Sequence, residues 1–255
     1  MDKQIAITKT YPTDLEKARI RLGNDETHVW YARLDSLATD SSSLLSREEQ
    51  DRAESYHFPR DRHNYILRHG IFRQLISLYS NLEPQQIQFE YNDTGKPSLA
   101  NPYEEPNLFF NQSHSAGLAV YAFTRTGDVG IDVEHIHEVA DISGIANAYF
   151  APTESIALRI LSGENKTKAF FNCWVRKEAV IKATGEGLSQ SLDKIDVSPI
   201  VYNSGEASSY TRVYADGACW YIYDLDIDKA YKAAVTVKQP VERISVFNAV
   251  FNAFN

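Results

Sequence analysis

Sulfur is scarce in this chain: of 255 residues, two are cysteine and one is methionine. Cys173 and Cys219 cannot build a disulfide framework, so a small cross-linked secreted fold is excluded and a reducing compartment is expected. No Cys/His cluster has the spacing of a structural zinc site. Basic charge is short as well, with 26 lysines and arginines against 34 aspartates and glutamates, a net of −8. Such a balance draws the protein neither to nucleic acid nor to a membrane surface, so local basic groups must hold any anionic ligand. Long apolar runs are missing too. No stretch reaches the ~20 residues of a membrane-spanning helix, and MDKQIAITKTYPTDLEK at the start lacks the apolar core of a signal peptide. A cytoplasmic location is the expectation. What is present is ordinary for a globular protein, 43% hydrophobic and 24% charged residues, with length enough for one large domain or two small ones.

The patterning predicts a mixed α+β protein. THVWYARL (27–34) reads as a strand. SREEQDRAESYHF (46–58) and RDRHNYILRHGIFRQLISLYS (60–80) read as helices, Ser46 capping the first and Glu49 completing a capping box. In the second, Ile66, Ile71, Leu75 and Leu78 keep an approximately helical spacing. Strands are expected at 87–91, 108–113 and 117–123, separated by the turn-rich NDTGKPSLANPYEEP. A similar order then recurs: a strand at 130–135, helices at 151–162 and 164–184, and strands at 191–197, 219–227 and 231–238. The expectation is two similar α+β halves, residues 1–125 and 126–255, with a ligand cleft between them. RISVFNAVFNAFN at the C-terminus suits either a strand or a docking segment.

GIDVEHI (130–136) sets two acids in an otherwise apolar strand. Residues i and i+2 share a strand face, so Asp132 and Glu134 point one way and Ile131 and Val133 the other. Adjacent carboxylates repel and resist desolvation. They read either as a strand end facing water or as half of a hard-cation site, since magnesium takes carboxylate and water oxygens and is completed by substrate phosphates. In WVRKEAVIKATGEGL (174–188), Glu178 and Lys182 are i and i+4 and share a helix face. An exposed ion pair would be ordinary, but Trp174 stands on that same face, with Phe170 and Phe171 a turn earlier. A Glu–Lys pair continuing an aromatic stripe suits a cleft, the glutamate binding metal and the lysine phosphate. NQSHS (111–115) ends a strand and has no G-x-S-x-G elbow, which argues against a serine hydrolase. Ser113 and His114 are either a polar strand end or donors to phosphate oxygens. In the turn TGKP (94–97), Gly95 permits positive φ and Pro97 fixes the exit, so Lys96 is a solvated loop lysine or a positioned cation. His135 and His137 read as surface residues. Arg47, Arg52, Arg60, Arg62, Arg68 and Arg73 are nearly cancelled by neighbouring acids and form no nucleic-acid patch, although one or two could clamp a phosphate.

Taken in order, TGKPSL, FNQSHS, GIDVE and WVRKEAVIKATGEGL resemble the motif series of the 4′-phosphopantetheinyl transferases of the surfactin-synthetase-activating type, over roughly residues 46–197. The resemblance implies a pseudo-dimeric α+β fold with the active site and coenzyme A between the halves. It implies Asp132, Glu134 and Glu178 as magnesium ligands and Lys182 as a contact to the coenzyme A phosphates. Ser113 and His114 match residues that hold the diphosphate and the 3′-phosphate region, Lys96 and Pro97 match the coenzyme-contacting turn, and Arg52 matches a basic residue for the 3′-phosphate. Glu178, Lys182 and His114 are the expected catalytic residues. The implied reaction transfers 4′-phosphopantetheine from coenzyme A to a serine of an apo acyl carrier protein, or of a peptidyl or polyketide carrier domain. It is magnesium-dependent, releases adenosine 3′,5′-bisphosphate and needs only a monomer. Two positions depart from some relatives: Glu49 replaces a second basic residue, and Tyr65 replaces a small hydroxyl residue. A magnesium-dependent phosphohydrolase of a nucleotide diphosphate and an inactive coenzyme A- or carrier-binding module stay open as other readings.

Overall fold

The computed structural model describes residues 6–10, 20–37, 39–100, 108–187, 191–198 and 210–249. Its strands are β1 (Ala6–Thr10), β2 (Glu26–Arg33), β3 (Phe89–Tyr91), β4 (Pro97–Leu99), β5 (Phe109–Ser115), β6 (Leu118–Thr124), β7 (Val129–His135), β8 (Thr211–Ala215), β9 (Ala218–Leu225), β10 (Tyr231–Val237) and β11 (Arg243–Asn248). The helices are α1 (Arg47–Glu54), α2 (Pro59–Tyr79), α3 (Ile142–Tyr149), α4 (Pro152–Arg159) and α5 (Gly163–Thr184). One sheet runs β1-β11-β2-β6-β5 and a second runs β7-β10-β9-β8, with β3 and β4 forming a small ribbon.

Two-residue periodicity assigns each face of these strands. Along β6, Ala119, Tyr121 and Phe123 join Leu67, Ile71, Phe72 and Leu75 of α2 in one core, while Leu118, Val120 and Ala122 turn to the other side. There they meet Val129, Ile131 and Val133 of β7 and Val235 and Val237 of β10. The two sheets therefore pack face to face, with α2 outside the first and α5 outside the second. Val175, Ala179, Val180 and Ala183 of α5 pack on Trp220, Ile222 and Ala234. The chain is thus an α+β protein of two similar halves, each a long helix on a sheet, mixed in the first half and antiparallel in the second. Each fully buried large apolar side chain, such as Phe72 at 1% exposure, contributes about 1.5–3 kcal/mol to that packing.

Ser46 accepts from Glu49 N, and Glu49 Oε2 accepts from Ser46 N at 2.9 Å, which closes the predicted capping box of α1. Several elements differ from the sequence expectation. Residues 191–197 form a 3₁₀ turn (Leu192–Lys194) followed by extended chain, not a strand. The buried Lys177 ammonium takes the Leu192 carbonyl at 2.9 Å and also the Ile195 carbonyl, supplying the partners a sheet ladder would have provided. Helix α3 was not expected; Asp141 caps it by accepting from Gly144 N at 2.7 Å. The C-terminal segment does contain a strand: β11 runs parallel to both β1 and β2 and lies between them. Part of its predicted stretch, residues 250–255, lies outside the described residues.

Candidate active site

Strands β5 and β7 sit at the edges of their sheets and meet along a seam. Asn111, Ser113 and Ser115 share one face of β5, and all three reach across. Asn111 Oδ1 accepts from Ile131 N at 3.1 Å, Ser113 Oγ donates to Asp132 Oδ1 at 2.8 Å, and Ser115 Oγ donates to Glu134 Oε2 at 2.7 Å. Side chains thus stitch the seam where a backbone ladder would otherwise run. Opposite them, the face of β7 that carries Gly130, Asp132 and Glu134 lies under α5. A Cβ at Gly130 would stand 2.1 Å from Ala179 O and 2.3 Å from Ala183 N. Glycine lets the helix approach closely enough to bring its own charges onto the two acids.

From α5, Lys182 Nζ donates to Asp132 Oδ1 at 2.6 Å and to Ser113 Oγ at 2.8 Å. Asp132 is 3% exposed, and its Oδ2 has no hydrogen-bond partner. Such a buried bare acceptor is costly unless something fills it. The acids also disturb one another. Burial raises Asp132 above the usual carboxylate range despite the opposing Lys182 charge. Burial raises Glu134, the Ser115 bond partly offsets this, and the Asp132 charge adds to it. Glu178 is raised by burial and then by Asp132. Among the described residues, no three such side chains stand close enough to hold a metal ion as they are. The donor set nevertheless suits a hard divalent cation: three carboxylates in mutual repulsion and one buried oxygen without a partner.

His114 alternates to the other face of β5. Its Nδ1 lies 3.0 Å from Arg68 Nη1, and partial desolvation followed by the Arg68 and Lys182 charges depresses it to about 4. The neutral ring therefore accepts from the guanidinium. Beside them opens a cavity of about 390 Å³ lined by Tyr65, Arg68, His114, Arg60 and Asn64, among others. Lys96 stands elsewhere, at the C-terminal end of α5, donating to Ala183 O at 2.7 Å and Asp128 Oδ1 at 3.1 Å. The turn before it docks through Asn92 Nδ2 and Thr94 Oγ1, which both donate to Gly185 O, and Gly185 ends α5 at φ +74°. Pro97 opens β4. Arg52 is exposed on α1, and its side chain touches none of these groups. The structure thus joins Ser113, Asp132 and Lys182 directly, sets Glu134 and Glu178 within electrostatic reach, and leaves His114, Lys96 and Arg52 to other surfaces. Sequence reasoning gave no role to Asn111 and Ser115, although the N-x-S-x-S alternation carries that signal, and it gave Arg68 no particular role.

Residues 128–236 match the 4′-phosphopantetheinyl transferase superfamily, and residues 30–126 match the family described as 4′-phosphopantetheinyl transferase, N-terminal. The chain is 36% identical over 208 residues to the 4′-phosphopantetheinyl transferase HetI of Nostoc sp., covering 78% of this chain and 87% of that one. It belongs to the 4′-phosphopantetheinyl transferase family. The transferase is also 29% identical over 198 residues to the 4′-phosphopantetheinyl transferase Sfp of Bacillus subtilis, covering 78% of this chain and 84% of that one. The human L-aminoadipate-semialdehyde dehydrogenase-phosphopantetheinyl transferase is 29% identical over 211 residues, covering 77% of this transferase and 68% of the human one. The family transfers phosphopantetheine to carrier proteins, and this transferase is of the Sfp type.

Proposed function

We propose that this transferase moves 4′-phosphopantetheine from coenzyme A to a serine of an apo carrier protein, with magnesium bound by Asp132, Glu134 and Glu178. The serine oxygen attacks the phosphorus bearing the pantetheine arm. A new O–P bond forms, the bond to the bridging diphosphate oxygen breaks, and adenosine 3′,5′-bisphosphate leaves with that electron pair. The observation that carries this reading is the cluster itself: Glu134 and Glu178, raised by burial and by the Asp132 charge, around the partnerless Asp132 Oδ2, with the Lys182 ammonium in contact. Magnesium, when bound, neutralises charge on the diphosphate.

The remaining work belongs to positioning and to charge, as phosphoryl-type transfer requires. Lys182 supplies the ammonium facing the leaving diphosphate, and Ser113 holds that ammonium in line. His114 offers a donor or acceptor on the neighbouring face. Glu178, directly or through a water, accepts the proton of the attacking serine. Lys96, Pro97 and Arg52 make outer contacts to the coenzyme. The transferase works as a monomer, since one chain contains both halves. Mass spectrometry of apo acyl, peptidyl and polyketide carriers, incubated with coenzyme A and magnesium, tests the reading. At least one carrier should gain the phosphopantetheine mass, and the Glu178→Gln variant should add none. Hydrolysis of coenzyme A without a carrier would instead favour a phosphohydrolase, and binding without any product would favour an inactive module.

A further inference from the structure

We propose, resting on the coenzyme A reading above, that Asn92 and Thr94 are positioning residues for Lys182. The turn between β3 and β4 clasps the end of α5, and the clasp holds the lysine over the diphosphate. Lys182 stands in the last turn of α5. The final carbonyls of a helix lack intrahelical partners, and such ends fray. A lysine head also rides on a flexible four-carbon stem, so an ammonium aimed at two partners needs a fixed backbone beneath it. Here the first half of the chain supplies partners to the end of a helix in the second. Gly185 O accepts from Asn92 Nδ2 at 3.0 Å and from Thr94 Oγ1, and Ala183 O accepts from Lys96 Nζ at 2.7 Å. Those carbonyls belong to the residue next to Lys182 and to the residue that ends the helix.

The turn is built to hold its shape. Asn92 Oδ1 accepts from Thr94 N at 3.1 Å and from Lys96 N at 2.8 Å. The Asn92 backbone closes the same loop, its carbonyl accepting from Gly95 N at 2.9 Å and its N–H donating to Lys96 O at 3.1 Å. One asparagine thus organises the turn, as Asx turns do, and spends its amide nitrogen on α5. Shape agrees with the hydrogen bonding. A Cβ at Gly185 would lie 3.0 Å from Asn92 Nδ2, and one at Gly187 would lie 3.2 Å from Thr94 Cβ and Cγ2. Both glycines of GEG press on the turn, so that segment seats the ribbon as well as stopping the helix. The ammonium of Lys182 bridges Ser113 of β5 and Asp132 of β7. A clasp at the helix end fixes that bridge from its far side. Asn92 and Thr94 are exposed, so changing either leaves the core closed.

Two measurements on the full chain test the clasp: amide hydrogen exchange over residues 181–187, and calorimetric affinity for coenzyme A in magnesium. Thr94→Val removes the hydroxyl and keeps the shape, whereas Thr94→Ser keeps the hydroxyl. Thr94→Val should speed the exchange and weaken coenzyme A, each about 3- to 10-fold, the range of one lost hydrogen bond. Asn92→Ala, which also dissolves the turn, should do at least as much, and Thr94→Ser should match the parent in both. Adding Thr94→Val to Lys182→Met should leave the affinity of the single variant unchanged, because the side chain through which the clasp acts is gone. Unchanged exchange in Thr94→Val would overturn the clasp while leaving the transfer reaction standing. Faster exchange with parental affinity would overturn its role in positioning Lys182. A loss of affinity that persists in full beside Lys182→Met would do the same, since the turn would then act on the coenzyme by itself. A parent protein that binds no coenzyme A would overturn the functional reading and, with it, the role of the clasp.

Discussion

Replacing Lys182 by methionine keeps the length of the side chain and removes its charge. The ammonium lies 2.6 Å from Asp132 Oδ1, and the side chains are 30% and 4% exposed respectively. Removing one partner of a fully buried ion pair costs about 3–5 kcal/mol; the partial exposure of Lys182 lowers that to about 2–3 kcal/mol. At this chain length the loss corresponds to a fall in Tm of about 5–10 °C. Its pH dependence separates an electrostatic cause from a packing one. Burial already holds the native Asp132 carboxyl above its unfolded value, and the Lys182 charge is the main force opposing that rise. Without Lys182 the native state binds the Asp132 proton still more tightly than the unfolded chain does. The deficit is therefore full above the native pKa and shrinks as pH falls through it. Urea unfolding in a chelator at pH 8 and pH 5 should show a smaller deficit at the lower pH than at the higher. Lys182→Met/Asp132→Asn should recover most of the loss at pH 8. A deficit that is the same at both pH values, or a double variant no better than the single, would refute the electrostatic account.

Gly130→Ala should destabilise by more than about 3 kcal/mol, beyond ordinary overpacking, because its Cβ meets the α5 backbone and not a movable side chain; an unchanged denaturation midpoint would contradict the close approach. Lys177→Met should cost about 3–5 kcal/mol, since it strands Glu154, 4% exposed, and the carbonyls of Leu192 and Ile195; a loss below about 1 kcal/mol, the scale of a surface pair, would count against the buried clamp. Glu178→Gln, expected to be inactive, should be as stable as the parent or more so at pH 8 in chelator. Burial and Asp132 raise the native pKa of Glu178, so its charged form opposes folding above that pKa. A lowered Tm there would contradict the repulsion.

What the sequence disclosed was local. The capping box of Ser46 and Glu49 and the alternation that sets Ile131 and Val133 against Asp132 and Glu134 act over a few residues and stand as read, whereas Lys182, read from spacing as the partner of Glu178, takes Asp132 from another element as its carboxylate. What stayed hidden depends on distant partners. Nothing within SLDKIDV states that Lys177 will claim its carbonyls, and nothing near TGKP states that Lys96 will be spent on Ala183 O. β11 reads equally well as strand or docking segment because its neighbours lie at the far end of the chain; Arg243 Nη1 meets Glu26 Oε1 at 3.0 Å across 217 residues of sequence. Arg68 was one arginine among six, and only the fold sets it against His114 with its Nε buried.

The position of β11 reaches into biosynthesis. A ribosome that has finished the first half has made β2, β5 and β6, yet the side of β2 that β11 will occupy stays open until the second half has emerged. For that interval Val29 and Trp30, fully enclosed in the finished protein, sit on an unprotected strand edge, the kind of surface that recruits chaperones or other nascent chains. Cutting the gene at the apparent midpoint should therefore yield a sticky N-terminal fragment, and supplying the missing C-terminal piece in trans should quiet it.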